Sequence, residues 1–226
     1  MSSTKQFALA TLSYIQDYDE TFPMSVYVQP PNKAFSVYDA VMPYMKNVDI
    51  LTCPSYRPGI DWQARLKLFG LANVTFQFTG YVPNLGVFGE NLCGTPFNKK
   101  TPPTALAAVQ TPVETILFFD GFMKGGGKSL DFYNFLAMAR HKEGVVVNFA
   151  DGHSKWFKWN AKMPGGVTPP DAARPNVPYY GWRTTEALKS SDQDLQNAVS
   201  TPADPYNDFH GVPGTSIGDS EDQKCP

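Results

Sequence analysis

Residues 140–159 read Arg-His-Lys-Glu-Gly-Val-Val-Val-Asn-Phe-Ala-Asp-Gly-His-Ser-Lys-Trp-Phe-Lys-Trp, and their reading decides the fold. Val145, Val147 and Phe149 alternate with Val146, Asn148 and Ala150, the period of a half-buried strand. Asp151-Gly152 interrupts the run with a dipeptide suited to the positive φ angles of a two-residue type I′ turn. A second strand follows, from His153 to Trp159. A two-residue turn sets Ala150 opposite His153, Asn148 opposite Lys155 and Val147 opposite Trp156. Val145, Val147, Phe149 and Trp156 then form a core face, with Asn148, His153 and Lys155 on the other side.

Upstream, Ala8, Leu12, Ile15 and Tyr18 recur at three- and four-residue steps, widened by Phe7 and Tyr14. This predicts an amphipathic helix over 4–20, stopped by Pro23. Residues 24–34 read as a Pro-rich connection. A shorter helix is expected over 36–47, with Ser36 as a possible cap, Val37, Ala40, Val41 and Tyr44 on its buried side, and Pro43 kinking or ending it. Cys53-Pro54 leads into a turn. Residues 74–79 alternate like a strand, 91–107 read as loop, and Thr115 to Phe119 as a central strand. Leu130 to Ala139 is a strand or a short helix. Residues 185–199 suggest a polar helix.

The spacing from His141 across nine residues to Asp151-Gly152 resembles the signature of the exported bacterial prepilin-like "H-x9-DG" proteins, which belong to the type IV pilin and type II secretion pseudopilin class. Three further blocks resemble that family, in its order. They are Lys5-Gln6 with Tyr14 to Pro23; Pro43 to Asn47 with Cys53-Pro54-Ser55; and Pro112 to Gly121. Together they span roughly two thirds of the chain. The resemblance implies an α+β fold, an amino-terminal helix packed on an antiparallel sheet that includes 115–120 and 145–159. Residues 1–159 would form the pilin-like head, and 160–226 a loop-rich extension on the same domain.

The family begins with a basic leader, a cleavage site and about 20 apolar residues, which this chain lacks. The sequence therefore reads as a soluble fragment starting just after that segment, or as a naturally soluble relative. The implied function is structural: an exported subunit, anchored in the inner membrane by the missing helix, then periplasmic or on the cell surface. Its partners would be its own copies, other pilin-like subunits and an assembly platform.

Composition narrows the classes. At 226 residues the chain is long enough to bury a substantial core, and one domain is the default. A net charge of −2 without a basic stripe offers nothing to nucleic acid. No run approaches the ~18 apolar residues of a membrane span. The 20 prolines, 18 glycines and abundant aromatics favour strands and ordered loops over a helical bundle. Three cysteines leave an odd thiol. The resembling family often carries a cysteine just ahead of the Lys-Gln pair. That would orphan Cys53 and leave Cys93 to pair with Cys225; the alternative is three unpaired thiols.

Several residues invite chemistry. His141, Asp151 and His153 offer two imidazoles and a carboxylate for metal binding or acid–base work. A structural role is the plainer reading, with Asp151 bonding locally in its turn and His141 bonding backbone at a sheet edge. Asp17, Asp19 and Glu20 close the first helix; with Glu114 or Asp120 they would supply a glycosidase-like carboxylate pair, and otherwise they form a solvated helix exit. Trp159, Tyr179, Tyr180 and Trp182 suggest a sugar-stacking surface, whereas core packing suits Trp156. Asp204, Asn207, Asp208 and Asp219 are hard oxygen donors suited to Ca2+, without EF-hand spacing; a solvated acidic loop is the simpler reading. No cofactor is required. The competing functions are a hydrolase of glycosidic or ester bonds on a pilin-like scaffold, and a carbohydrate-binding adhesive module. Gly-x-Ser-x-Gly and His-Glu-x-x-His are both absent, and so is the Gly-Lys-Ser/Thr of a phosphate loop.

Overall fold

The computed structural model describes residues 2–84, 86–95, 98–123, 135–138, 140–142, 144–158, 179–180 and 223–225. It is an α+β fold whose amino-terminal helix, α1 (Ser2–Asp17), packs on the sheets. The hairpin β1 (Val26–Gln29) and β2 (Lys33–Ser36) leads into α2 (Val37–Val41). Next come β3 (Ile60–Asp61), α3 (Trp62–Lys67), β4 (Phe78–Thr79), β5 (Tyr81–Pro83), β6 (Glu90–Asn91) and β7 (Lys99–Thr101). The remaining strands are β8 (Ile116–Met123), β9 (Phe135–Met138), β10 (Gly144–Phe149), β11 (Ser154–Lys158), β12 (Tyr179–Tyr180) and β13 (Gln223–Lys224).

The larger sheet runs β11-β10-β8-β9-β12, with β5 also paired to β8. A second sheet runs β13-β7-β6-β1-β2, and β3 pairs with β4. Every named pair is antiparallel except β1 with β6. The run from Thr115 to Phe119 is central as expected. Leu117, Phe118 and Phe119 are fully buried, and β8 is hydrogen-bonded to β5, β9 and β10.

Helix α1 buries Thr4, Phe7, Ala8, Thr11 and Ile15, steps of three and four residues that lay one stripe on the protein interior, and Ala10 widens it. Phe7 is the anchor: its ring lies 4.2 Å from Phe118 and stacks at 5.7 Å on Tyr38. The stripe is turned from the expected one. Leu12 is only partly buried, and Tyr18 lies beyond the helix, 53% exposed and stacked on Tyr14. Pro23 is not the stop. The helix ends at Asp17, and Asp19 and Glu20 take left-handed backbone, φ 50° and 54°. The Glu20 N–H closes back on the Ile15 carbonyl, a local C-terminal turn that ends the helix before proline is reached.

Ser36 does cap α2. Its backbone N–H and hydroxyl both reach Asp39 at 2.7 Å in a capping box. Pro43 then turns the chain into a 3-10 segment, Met42–Tyr44. Three expectations fail. Residues 91–107, read as loop, contain β7 and run into a 3-10 turn at Leu106–Ala108. The 24–34 connection is a β-hairpin turning at Pro30-Pro31, with Tyr27 stacked on Phe35 at 5.3 Å across the strands. Of 74–79, only Phe78 and Thr79 are strand, and Val74 is almost wholly exposed. Within 130–139, Phe135–Met138 is the strand β9. Residues 185–199 lie outside the described residues.

The 145–158 hairpin forms, with its register one residue from expectation. Val146 faces Trp156, Val147 faces Lys155 and Asn148 faces Ser154. Phe149 pairs with His153 across a three-residue loop. Gly152 takes the left-handed position there at φ 88°, as three-residue hairpin loops favour. The cause is tertiary. The Ala150 N–H is claimed by the Thr115 carbonyl ahead of β8, so Ala150 cannot pair with His153. Val145, Val147 and Phe149 join the core as expected. Trp156 does not: it sits beside Val146, partly exposed, and its indole N–H donates to the His141 carbonyl at 2.7 Å.

The loop also supports α1. A Cβ at Gly152 would lie 2.8 Å from Leu12 Cδ1. Gly152→Ala combines that clash with a left-handed φ, and thermal unfolding should show a loss of about 1–3 kcal/mol. Asp151→Asn keeps a side-chain acceptor for the His153 N–H and should cost less than about 0.5 kcal/mol.

Cys93 and Cys225 are disulfide-bonded across 132 residues of sequence, and Cys53 is a buried free thiol. No helix among the described residues is long and apolar enough to cross a membrane.

Candidate functional site

A buried carboxylate in a sheet must be paired, because an isolated charge there is too costly. Asp120 ends the apolar stretch of β8 and is fully buried. Its Oδ1 accepts from Arg140 Nη2 at 2.8 Å, and its Oδ2 from the Val146 N–H of the neighbouring strand at 2.9 Å. The guanidinium of Arg140 also donates to the carbonyls of Gly121, at 3.0 Å, and Gly80. It lies 5.0 Å from the centre of the Tyr56 ring and 5.9 Å from that of Tyr81.

His141 follows directly. The 140–141 segment is held ahead of β10 by reciprocal backbone bonds between His141 and Gly144, both 3.1 Å. His141 Nε2 stands 3.3 Å from Asp120 Oδ2 and 3.4 Å from Cys53 Sγ. Cys53 reaches this point from the 3-10 segment Val48–Leu51 through a tight turn, in which the Tyr56 N–H bonds the Cys53 carbonyl at 2.9 Å. Gly80 permits the approach, since a Cβ there would lie 2.9 Å from the Cys53 nitrogen. One donor atom each from Cys53, Asp120 and His141 lies within 4.8 Å of the others, a group able to hold a metal ion.

The electrostatics follow from these contacts. Burial works to raise the Asp120 pKa, but the Arg140 charge, the His141 contact and the Val146 N–H together hold it below the usual carboxylate range. Burial likewise pushes the Cys53 thiol up, and the His141 bond and Arg140 charge bring it below its ordinary value. Asp120 first, then Cys53, raise the His141 pKa to about 9, against partial burial.

The raised His141 value stabilises the metal-free fold fully below the unfolded pKa of ~6.5, and the stabilisation is lost as pH rises through the folded value. Cys53, being lowered, titrates in the opposite sense. In a Cys53→Ala background, the urea midpoint should therefore fall on the alkaline side relative to Cys53→Ala/His141→Gln. An unchanged difference between pH 6 and 10 would remove the imidazolium–carboxylate contact from the account.

The residues expected to act together are divided. His141 and Asp151 stand at opposite ends of β10, roughly 20 Å of strand apart, too far for joint chemistry. Asp151 instead accepts from the His153 N–H at 3.1 Å and meets His153 Nδ1 at 2.6 Å, in an exposed local pair. His141 bonds backbone as expected, while its ring turns inward to Asp120 and Cys53. Asp17, Asp19, Glu20 and Glu114 are exposed, and Asp17 accepts from the Tyr44 hydroxyl at 2.8 Å. Asp120 is engaged by Arg140, His141 and Val146 rather than by those carboxylates. Tyr179 and Tyr180 form β12 against β9. Trp159, Trp182, Asp204, Asn207, Asp208 and Asp219 lie outside the described residues, and so the stacking-surface and Ca2+ expectations do too.

Sequence reasoning missed the joining of Cys53, Asp120, Arg140 and His141. One signal was present: an aspartate closing an apolar central strand requires a buried cation, and Arg140 precedes the next strand. Comparison with family models, curated proteins and solved structures finds no match to this chain.

Proposed function

We propose that this chain is the exported head of a prepilin-like filament subunit, structural rather than catalytic. What carries the reading is the use made of the two ends of the His-x9-Asp-Gly segment. His141 fastens the start of β10 to Asp120 on β8 and to Cys53, while Gly152, at the far end, lies against Leu9 and Leu12 of α1. Both ends serve to hold a helix and a hairpin to one sheet, the task of a head that carries load through its amino-terminal helix. An acid–base relay has less support. One imidazole nitrogen faces both the thiol and the carboxylate, whereas a relay needs the two on different ring nitrogens.

On this reading the subunit assembles with copies of itself and related subunits through an apolar segment ahead of α1, and it passes from the inner membrane to the periplasm or cell surface. The test is the native gene and its product. The reading frame upstream of Ser2 should encode a basic leader and about 20 apolar residues. The processed protein should appear in membrane and sheared-surface fractions. A frame that initiates at Met1, with its product in the cytosol, would overturn the reading.

A further inference from the structure

We infer that Cys53, Asp120 and His141 form a binding site for a zinc ion, with three protein ligands and a fourth position open to water. The inference rests on geometry and is independent of the filament reading. His141 Nε2 offers either one proton or one lone pair, yet two groups converge on it: Asp120 Oδ2 at 3.3 Å and Cys53 Sγ at 3.4 Å. A single N–H cannot point at both, and both separations are long for a charge-assisted bond. They do match the edges of a tetrahedron around a metal. With Zn–N, Zn–O and Zn–S bonds of about 2.05, 2.0 and 2.3 Å, tetrahedral angles place N and O about 3.3 Å apart and N and S about 3.6 Å apart. The sulfur and carboxylate, now within 4.8 Å, would draw together toward about 3.5 Å.

The surroundings agree. Arg140 holds Asp120 by Oδ1, which leaves a lone pair of Oδ2 directed at the site beside the Val146 N–H. Ligating carboxylates are ordinarily oriented by such outer bonds. A thiolate with an imidazole selects zinc over the hard cations calcium and magnesium. The His141 side chain is 28% exposed, so the group meets solvent on the imidazole side. Binding displaces the thiol proton and leaves Nε2 unprotonated, so ion uptake releases protons.

The test uses the whole chain with its disulfide intact, stripped by a chelator without reductant, then titrated with Zn2+ and separately with Co2+. One equivalent of Zn2+ should bind, with proton release and a raised Tm. Co2+ should give the thiolate-to-metal charge-transfer band of a cysteine ligand together with the visible bands of a four-coordinate site. Cys53→Ser should abolish the charge-transfer band and weaken Zn2+ binding by about 100-fold or more, and His141→Gln should weaken it similarly. His153→Gln should bind like wild type. Should either site variant unfold, protection of the wild-type Cys53 thiol against alkylation by one equivalent of Zn2+ reads the same contact. Failure of the wild type to bind, absence of the charge-transfer band, binding unchanged in Cys53→Ser, or loss that follows His153 would each overturn the site.

Discussion

Asp120→Asn should destabilise the metal-free chain by about 3–5 kcal/mol, the usual consequence of removing one partner from a buried ion pair. Its charge compensates Arg140, whose side chain is wholly buried. It also accepts the Val146 N–H that joins the strand edges. An amide at this position has one acceptor where two are needed, so its NH2 must face either the guanidinium or Val146 N–H. The backbone around it would stay in place, because β8 is paired on both sides. The strain therefore remains local and cannot relax away.

Urea unfolding should show a lower midpoint at unchanged slope, and Tm should fall by about 6–20 °C at 2–4 °C per kcal/mol. A loss under about 1 kcal/mol would mean that Arg140 is solvated in a way the contacts do not show. Asp120→Leu with Arg140→Met should cost less than Asp120→Asn, since no charge is then stranded. Recovery should be incomplete, because the Gly80 and Gly121 carbonyls lose the guanidinium N–H bonds.

The second large effect concerns the disulfide. Replacing both Cys93 and Cys225 by Ser should cost about 2–5 kcal/mol, since the bond closes a loop of 132 residues in the unfolded chain. Its contribution in the folded state is also specific. Among the described residues, β13 offers Gln223 and Lys224 to pair with Lys100 and Lys99 of β7. Two residue pairs cannot hold a strand by themselves, so the covalent link keeps the chain's end on that edge. The measurement is the urea midpoint of the oxidised chain against the double serine variant, with hydrogen exchange at Lys99 and Lys100 as the local readout. Equal midpoints would show that the loop entropy is offset by structure surviving in the unfolded state.

Much of the architecture was legible from residue pattern. Helix α1, the capped start of α2, the central strand β8 and the β10–β11 hairpin all rest on local periodicity or capping chemistry. The errors have a common source. The hairpin register depended on whether Ala150 was free to pair, and the Thr115 carbonyl takes it. The face of α1 depended on where Phe118 and Tyr38 stand, and Phe7 rather than Leu12 meets them. Pro30-Pro31 suggested a connection because proline is read as a breaker, although two prolines at a hairpin tip break nothing. Trp156 was placed in the core by a register that one backbone bond shifted.

The candidate site was less legible still. Cys53, Asp120 and the 140–141 segment are separated by 67 and then 20 residues along the chain, and no spacing rule joins them. By itself the sequence determined what is local: helix and strand periods, the Ser36 cap, and the aspartate and glycine of the turn. Such features depend on neighbours a few bonds away, and the chain carries them wherever it folds. Which cation answers Asp120, which thiol meets His141 and which residue Ala150 bonds were decided only by tertiary structure. Those contacts arise where β8, β10 and the Cys53 turn pack together, and packing sets them by shape and by the exclusion of water, neither of which is written in any one segment.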